Sequence, residues 1–309
     1  MKTTVSHIIG LLVLLLGACQ GSKTSSDVVQ LKLNLENGKA YIYATNTHLD
    51  MTVKGMATGL NMAYTYKLMN DSKDSAGNQV LLSTIDALKF KAEAMGMSMG
   101  YDSKEVIDTN HQDGMSRMVR SIFSGMLGKS FKVTVSPTGN IEKVTGVEEI
   151  VAAMIDGIPG SEEDKARMRQ TLQQSFNPLQ VKQTFAQAFN IYPDKPVKVG
   201  DTWNKDLDLG MAGMKSKQQI IFKVKDITAS SVILDLKGEL KSSMKPPTDS
   251  TDASASTNMT GSENGTMTID RTSGLATSGD LDLNVKGSVN MKGTAMPMDI
   301  KGKITISNK

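Results

Sequence analysis

Apolar and polar residues alternate with a period of two at both ends of the chain and with a helical period in between. Near the start, Val29, Leu31, Leu33 and Leu35 fall on one face, and Gln30, Lys32, Asn34 and Glu36 on the other. Leu60, Met62, Tyr64, Tyr66 and Leu68 repeat the pattern, as do Leu88, Phe90 and Ala92. It returns after Trp203. Ile220, Phe222 and Val224 alternate with Ile221, Lys223 and Lys225, and Met296, Met298, Ile300, Ile304 and Ile306 with Asp299, Lys301, Lys303 and Thr305. Successive side chains of a strand point to opposite faces, so the alternation predicts antiparallel strands with one face buried and one in water. Asn37-Gly38 and Ala76-Gly77-Asn78 supply turns, because these residues accept the positive φ of tight hairpins.

In the middle, Met115, Met118, Val119, Ile122, Phe123, Met126 and Leu127 form one helical stripe. A hairpin follows, Phe131 to Ser136 and Asn140 to Val144, around Pro137-Thr138-Gly139. Thr145 and Glu148 read as a capping box ahead of Val147, Ile150, Val151, Met154 and Ile155, with Gly157 as the stop. Ser161 caps a third helix with Met168, Leu172 and Phe176 inward. Pro178 opens a fourth that buries Val181, Phe185 and Phe189. Ser242 to Asn264, with Pro246-Pro247 and many Ser, Thr, Asp and Asn residues, reads as a disordered loop inside the second run of strands.

The plan is one α+β domain over residues 29–309. Strands occupy 29–102, helices and one hairpin 111–189, and strands 200–307, with the loop at 242–264. The expected architecture is a curved antiparallel sheet, half-barrel-like, in two sequence portions, with the central helical insert packed against it. Val53-Lys54-Gly55, Leu236-Lys237-Gly238, Val285-Lys286-Gly287, Met291-Lys292-Gly293 and Ile300-Lys301-Gly302 recur at irregular spacing. They read as lysines guarding strand surfaces and glycines where strands bend.

Residues 1–18 change the picture of where this domain sits. Lys2 supplies a basic start, Ile8 to Leu16 an apolar run, and Leu16-Gly17-Ala18-Cys19 ends in the chain's single cysteine. The apolar run is about half the length a membrane span needs, so it reads as a removed export signal. The box resembles that of bacterial lipoproteins, which implies acylation at Cys19 and a short tether, residues 19–28. Gln20 stands where some sorting systems read aspartate for inner-membrane retention, and Gly21 to Ser26 carry no acidic tag for surface export. The expectation is an outer-membrane anchor facing the periplasm. A lipidated Cys19 leaves no thiol for catalysis, metal binding or a disulfide.

Charge is nearly balanced, 35 basic against 32 acidic residues, and no dense basic run appears, which removes nucleic acid from the candidate partners. Methionine is abundant, 21 residues against 7 Phe, 6 Tyr and one Trp, giving a flexible apolar interior. Met62, Met97, Met118 and Met298 are the candidate lining of an apolar ligand cavity.

Little else reads as chemistry. Beyond the signal only His48 and His111 remain, at no metal-binding or triad spacing. Asp206 with Asp208, and Asp280 with Asp282, share strand faces, as a carboxylate pair would, but polar alternation on a wet face gives the same pattern. No enzyme and no cofactor is expected. Met95, Met97 and Met99 share one face of an extended segment and are weak candidates for Cu(I), a soft ion suited to thioethers, though no His or Cys accompanies them. Asp74-Ser75-Ala76 and Asp249-Ser250-Thr251 look like sites for O-linked sugars in exported Bacteroidota proteins, which makes Ser75 and Ser250 candidate acceptors.

The lipobox, the early strands, the hairpin with Gly139, the Pro196-Val197-Lys198-Val199-Gly200-Asp201-Thr202-Trp203 element and the Asp270-Arg271-Thr272-Ser273-Gly274 turn together resemble a group of uncharacterised Bacteroidota lipoproteins. That group implies a domain of unknown function and no catalytic residues. At the level of architecture the chain is similar to half-barrel lipid and lipoprotein carriers of cell envelopes. The expected function is accordingly a non-enzymatic lipoprotein binding an apolar ligand or an acylated partner. The alternatives are a subunit of an outer-membrane assembly and a Cu(I)-binding protein.

Overall fold

The computed structural model of the chain describes residues 28–94, 96–105, 114–158, 160–211, 214–244, 255–291 and 294–308. The signal, Cys19, the tether to residue 27, Met95, His111, residues 245–254 and hence Ser250 lie outside the described residues.

Twelve strands make one sheet: β1 (Ala40–Val53), β2 (Met56–Lys73), β3 (Gln79–Ala94), β4 (Met97–Asp102), β5 (Ser130–Val135), β6 (Ile141–Thr145), β7 (Thr202–Met211), β8 (Met214–Ile227), β9 (Ser231–Met244), β10 (Ala255–Asp270), β11 (Ala276–Met291) and β12 (Thr294–Asn308). Four helices fall between them in sequence: α1 (Gly114–Met126), α2 (Val147–Asp156), α3 (Glu162–Ser175) and α4 (Pro178–Phe189). The strand order is β6-β5-β3-β2-β1-β12-β11-β10-β9-β8-β7, with β4 beside β3. The two sequence portions join where β1 pairs antiparallel with β12, from Tyr43 opposite Asn308 to Val53 opposite Met298. The sheet does not close on itself. Its two edges, β6 and β7, both pack on α4, so the sheet curls until one helix bridges the gap.

Register fixes which residues share a face, since directly opposed residues of antiparallel strands point the same way. One row runs Tyr101, Phe90, Met62, Thr47, Ile304, Leu281, Gly265, Leu236, Phe222, Trp203 from β4 to β7. The neighbouring row reads Lys91, Asn61, His48, Lys303, Asp282, Asn264, Lys237, Ile221, Asn204. The first face is apolar and carries the helices; we call it the inner face. The second is polar and faces water, as the sequence pattern requires.

The core sits at the helix-covered end of the inner face. Phe185 of α4 meets Tyr66 and Phe131 edge-on, with ring centroids 5.7 and 5.4 Å apart. Phe123 of α1 lies 5.2 Å from Phe90 and 6.0 Å from Tyr101. The indole N–H of Trp203 donates to the Ile191 carbonyl at 2.9 Å, while its ring stacks on Phe222. This is how the Gly200-Asp201-Thr202-Trp203 element ties the second run of strands to the helices.

Val29, Leu31, Leu33 and Leu35 are buried in that core, but they do not form a sheet strand, contrary to the sequence expectation. Val29 makes an isolated bridge with Val197, Leu33 N–H donates to the Pro137 carbonyl at 3.0 Å, and Asn34 N–H to the Ser273 carbonyl at 2.8 Å. Leu35 is held by a side chain. Its N–H donates to Gln79 Oε1 at 3.0 Å, and its carbonyl accepts from Gln79 Nε2 at 2.8 Å and Asn70 Nδ2 at 3.0 Å.

Two further expectations are corrected. The Thr145–Glu148 capping box does not form, because Thr145 is spent as the last residue of β6 opposite Lys132. Gly146, at φ 88°, is the N-cap of α2 and offers no side chain. The supposed loop at 242–264 is mostly sheet. Ser242–Met244 end β9 and Ala255–Asn264 begin β10, which pairs on both sides and buries Met259. Ser161 and Pro178 act as the sequence predicts: Ser161 Oγ accepts from the Asp164 N–H at 3.2 Å, and Pro178 opens α4 behind its N-cap Asn177.

Candidate functional site

The strands outrun the helices. β1 to β3 have 14, 18 and 16 residues, about 50 Å at ~3.3 Å per residue, and the helix-buried core takes up only one end. At the other end the inner face continues with Leu49, Met51 and Val53 on β1, Leu60 on β2, Ala92 and Ala94 on β3, and Met296, Met298 and Ile300 on β12. All are only half-buried. Met97 and Met99 of β4 share this face and are 71% and 39% exposed. An apolar surface therefore extends past the core without cover from the described residues.

In the C-terminal half the same face is tighter. Leu207, Gln218, Ser242, Met259 and Val285 are all buried. Glycines allow this coiling. A Cβ at Gly265 would fall 2.0 Å from the Asp280 carbonyl oxygen, and one at Gly287 2.1 Å from that of Asn258. Of the Lys-Gly tripeptides, Gly238, Gly287 and Gly302 thus lie on the inner face, while Lys237, Lys286 and Lys301 lie on the outer one.

A cluster of polar groups interrupts this apolar face between β8, β9 and β10. Ser216 and Ser242 hydroxyls pair at 2.7 Å, and Gln218 Nε2 donates to Glu263 Oε2. Desolvation holds the Glu263 carboxyl above the usual carboxylate range, and the bond from Gln218 pulls the other way. Sequence reasoning missed Glu263 because it assigned the segment to a loop. The signal was the phase it shares with Met259 and Met267, an acidic residue in step with buried methionines.

The four methionines proposed as a cavity lining do not come together. Met62 lies opposite Thr47 and Met298 opposite Val53, about 20 Å along β1. Met118 is half-buried on α1, and Met97 is too exposed to line an enclosed space. Beside Met298 there is an open groove of about 290 Å³ between Gly55, Gly287 and Pro297. A larger open groove, about 500 Å³, lies at the opposite end, where mostly polar residues, Asn34–Asn37 and Asn70–Lys73, line it. Of the thioethers considered for copper, Met97 and Met99 share a face of β4.

The carboxylate pairs lie on the outer face. Asp206 accepts from Gln219 at 3.0 Å and Asp280 pairs with Lys303 at 3.0 Å. The His48 ring is 2.7 Å from Asn61 and 3.3 Å from Asp50 on the same face. Among the described residues no three His, Cys, Asp or Glu side chains gather as metal ligands, and no helix is long and apolar enough to cross a membrane. Ser75 is exposed in the β2–β3 hairpin. There the Asp74 carboxylate accepts from Asn78 side chain and backbone and from the Ala76 N–H, which lowers its pKa.

Fold and site together define an open antiparallel sheet curled around helices, with an apolar inner face left partly bare. The chain belongs to a family of unknown function (DUF6263), whose pattern it matches over residues 76–276, well over half its length. No curated protein matches. Among solved structures, OccK5 (OpdH) of Pseudomonas aeruginosa aligns over 89% of this chain and 98% of its own at 6% identity and a TM-score of 0.24. An outer membrane protein of Vibrio cholerae, OmpT lacking one loop, aligns over 89% and 100% at 9% identity and 0.19. An outer membrane channel from Pseudomonas putida aligns over 90% and 97% at 8% and 0.19. Scores this low do not amount to a shared fold. The polar outer face and apolar inner face are also the reverse of a lipid-embedded barrel, whose outward band is apolar.

Proposed function

We propose that this chain is a lipoprotein, held to the periplasmic side of the outer membrane through lipid on Cys19, that binds an apolar ligand or an acylated partner without catalysing a reaction. The observation that carries the binding reading is the bare stretch of inner face from Leu49 to Val53 and Met296 to Ile300, set back to back with a charged outer face. Apolar surface left open on one side of a polar sheet is the usual mark of a binding site. The anchor rests on the Leu16 to Cys19 box, and the short tether would keep the domain within about 35 Å of the bilayer.

Two measurements test this. Cys19→Ser should move the protein from the membrane to the soluble fraction, and a serine variant that still sediments with membranes refutes the anchor. Titration of the same variant with a fluorescent fatty acid should give saturable binding that a bulk detergent micelle does not mimic. Absence of saturable uptake refutes the ligand reading.

A second reading, a subunit of an outer-membrane assembly, draws on Met56, Met97 and Met99, which are exposed toward one end of the sheet. A photo-crosslinker at Met97 in cells would then yield one discrete adduct with an outer-membrane protein.

A further inference from the structure

We propose that the open end of the sheet docks on an anionic phospholipid surface, with methionines of its hairpin turns entering the apolar layer and lysines behind them meeting the head groups. This goes beyond the ligand reading above and is tested apart from it.

The register closes four hairpins at this end with two-residue turns. Each closing pair falls at an inner-face position and includes a methionine: Val53 with Met56, Ala94 with Met97, Met211 with Met214, and Met291 with Thr294. The turns at the other end, residues 74–78, 228–230 and 271–275, contain none. Met56 is 47% exposed and Met97 71%. Single apolar residues scattered over a surface need no explanation, but methionine repeated at the tips of hairpins gathered at one end marks an interaction surface.

Charge sorts along the outer face in the same direction. The last three rows before these turns hold Lys215, Lys217, Lys241 and Lys286 against Asp208 and Asp299. The row behind them holds Asp50, Glu93, Asp206 and Glu239 against Lys301. Glu93, the acid nearest the β3–β4 turn, is paired with Lys91. Lys54 sits in the β1–β2 turn itself at φ 50°, the only non-glycine with positive φ among the described residues. Asparagine or glycine suits that position better, so the lysine holds its charge at the tip against a conformational cost.

Basic groups flanking apolar tips complement a layer of anionic head groups over acyl chains. Such a layer is fluid, so separate tips can enter it together, whereas a protein would need a groove matched to each. Flexible thioethers suit this irregular environment. The bare inner face ends at these turns, so docking brings it against the acyl layer. The tether allows this: Val29 bridges Val197 at the other end, and the ten residues of β7 set that end about 33 Å from the Met211 turn, within the tether's reach. The contact is reversible and screened by salt, so salt-washed membranes release it and Cys19→Ser still reports the anchor alone.

The experiment sediments the full chain with Cys19→Ser on vesicles of phosphatidylcholine, alone or with about one third phosphatidylglycerol, at low salt. Binding to the anionic vesicles should exceed that to the neutral ones by about ten-fold or more. Met56→Gln with Met97→Gln should lower it about five-fold, and Lys215→Gln with Lys217→Gln by a similar factor. Lys223→Gln with Lys225→Gln removes the same charge from the far end of the same strand and should leave binding unchanged. All six side chains are exposed, so the denaturation midpoints should not move. No preference for anionic vesicles, full binding by the methionine variant, or equal losses from the two lysine pairs overturns the inference. So does a photo-crosslinker at Met97 that, in cells, yields one discrete protein adduct in place of lipid. Fatty-acid titration without vesicles judges the ligand reading separately.

Discussion

Single residues carry unusual weight where backbones touch. Gly139, in the β5–β6 hairpin, has φ 86°, and a Cβ there would fall 1.8 Å from the Phe189 carbonyl oxygen at the end of α4. Gly77, at φ 82°, has open space around it. Gly77→Ala should therefore cost about 1 kcal/mol, the left-handed penalty alone, and Gly139→Ala about 3 kcal/mol or more, since hairpin and helix must also separate. Urea denaturation of the two variants checks the difference. Glu263 gives a prediction of opposite sign. Its pKa is raised on folding, so well below about pH 4 folded and unfolded chains both hold the proton and there is no penalty. As pH rises through and past the ordinary carboxylate range the folded state loses stability. Glu263→Gln should raise the thermal midpoint at pH 7, and the gain should shrink to nothing in acid; a gain independent of pH would remove desolvation as its cause. Glycine at 139 was legible in the sequence as a turn. Its contact with Phe189 was not, because that contact depends on where a helix fifty residues later comes to rest.

At the scale of elements, alternation reported which side chains are buried but not what their backbones pair with. Val29 to Leu35 alternate like a strand and are buried like one, yet their partners are Val197, Pro137, Ser273 and the amide of Gln79, brought together from across the chain. No local pattern announces such a set. Conversely, Ser, Thr and Asn in β10 read as a loop because composition stands in for burial. A strand between two others has its hydrogen bonds satisfied on both sides and needs only one apolar face, here Met259 and Met267. The amphipathic helices α1, α2 and α4 were legible because each covers the core with a stripe its own sequence displays. The Gln79 clamp is testable. Gln79→Ala leaves the buried Leu35 N–H without its acceptor and should cost about 2 kcal/mol, while Leu33→Ala, a cavity in the same segment, should cost about 2–5 kcal/mol. If both are near zero by chemical denaturation, the segment is not part of the cooperative core.

Over the whole molecule, the open sheet is much longer than the core it needs. The helix-covered end already buries Phe185, Phe189, Phe131, Leu234 and Ile269, and strands that ended there would fold without the bare Met- and Leu-bearing extension. Stability and binding should therefore separate along the strands. Leu234 is fully buried, so Leu234→Ala should cost about 2–5 kcal/mol. Any loss of probe binding should then track unfolding and disappear under conditions where the variant is fully folded. Ile300, half-buried on β12 between Met51 and Val285, should behave the other way. Ile300→Thr keeps the branched shape that suits a strand, so its cost in stability should stay below about 1.5 kcal/mol. The hydroxyl, however, puts a polar group on the surface where an alkyl chain would lie. Fatty-acid affinity should fall several-fold with the denaturation midpoint nearly unchanged. If Ile300→Thr instead binds the probe as the unsubstituted protein does, the bare inner face is not where the ligand sits, and the exposed methionines toward the end of the sheet become the surface to test against a protein partner.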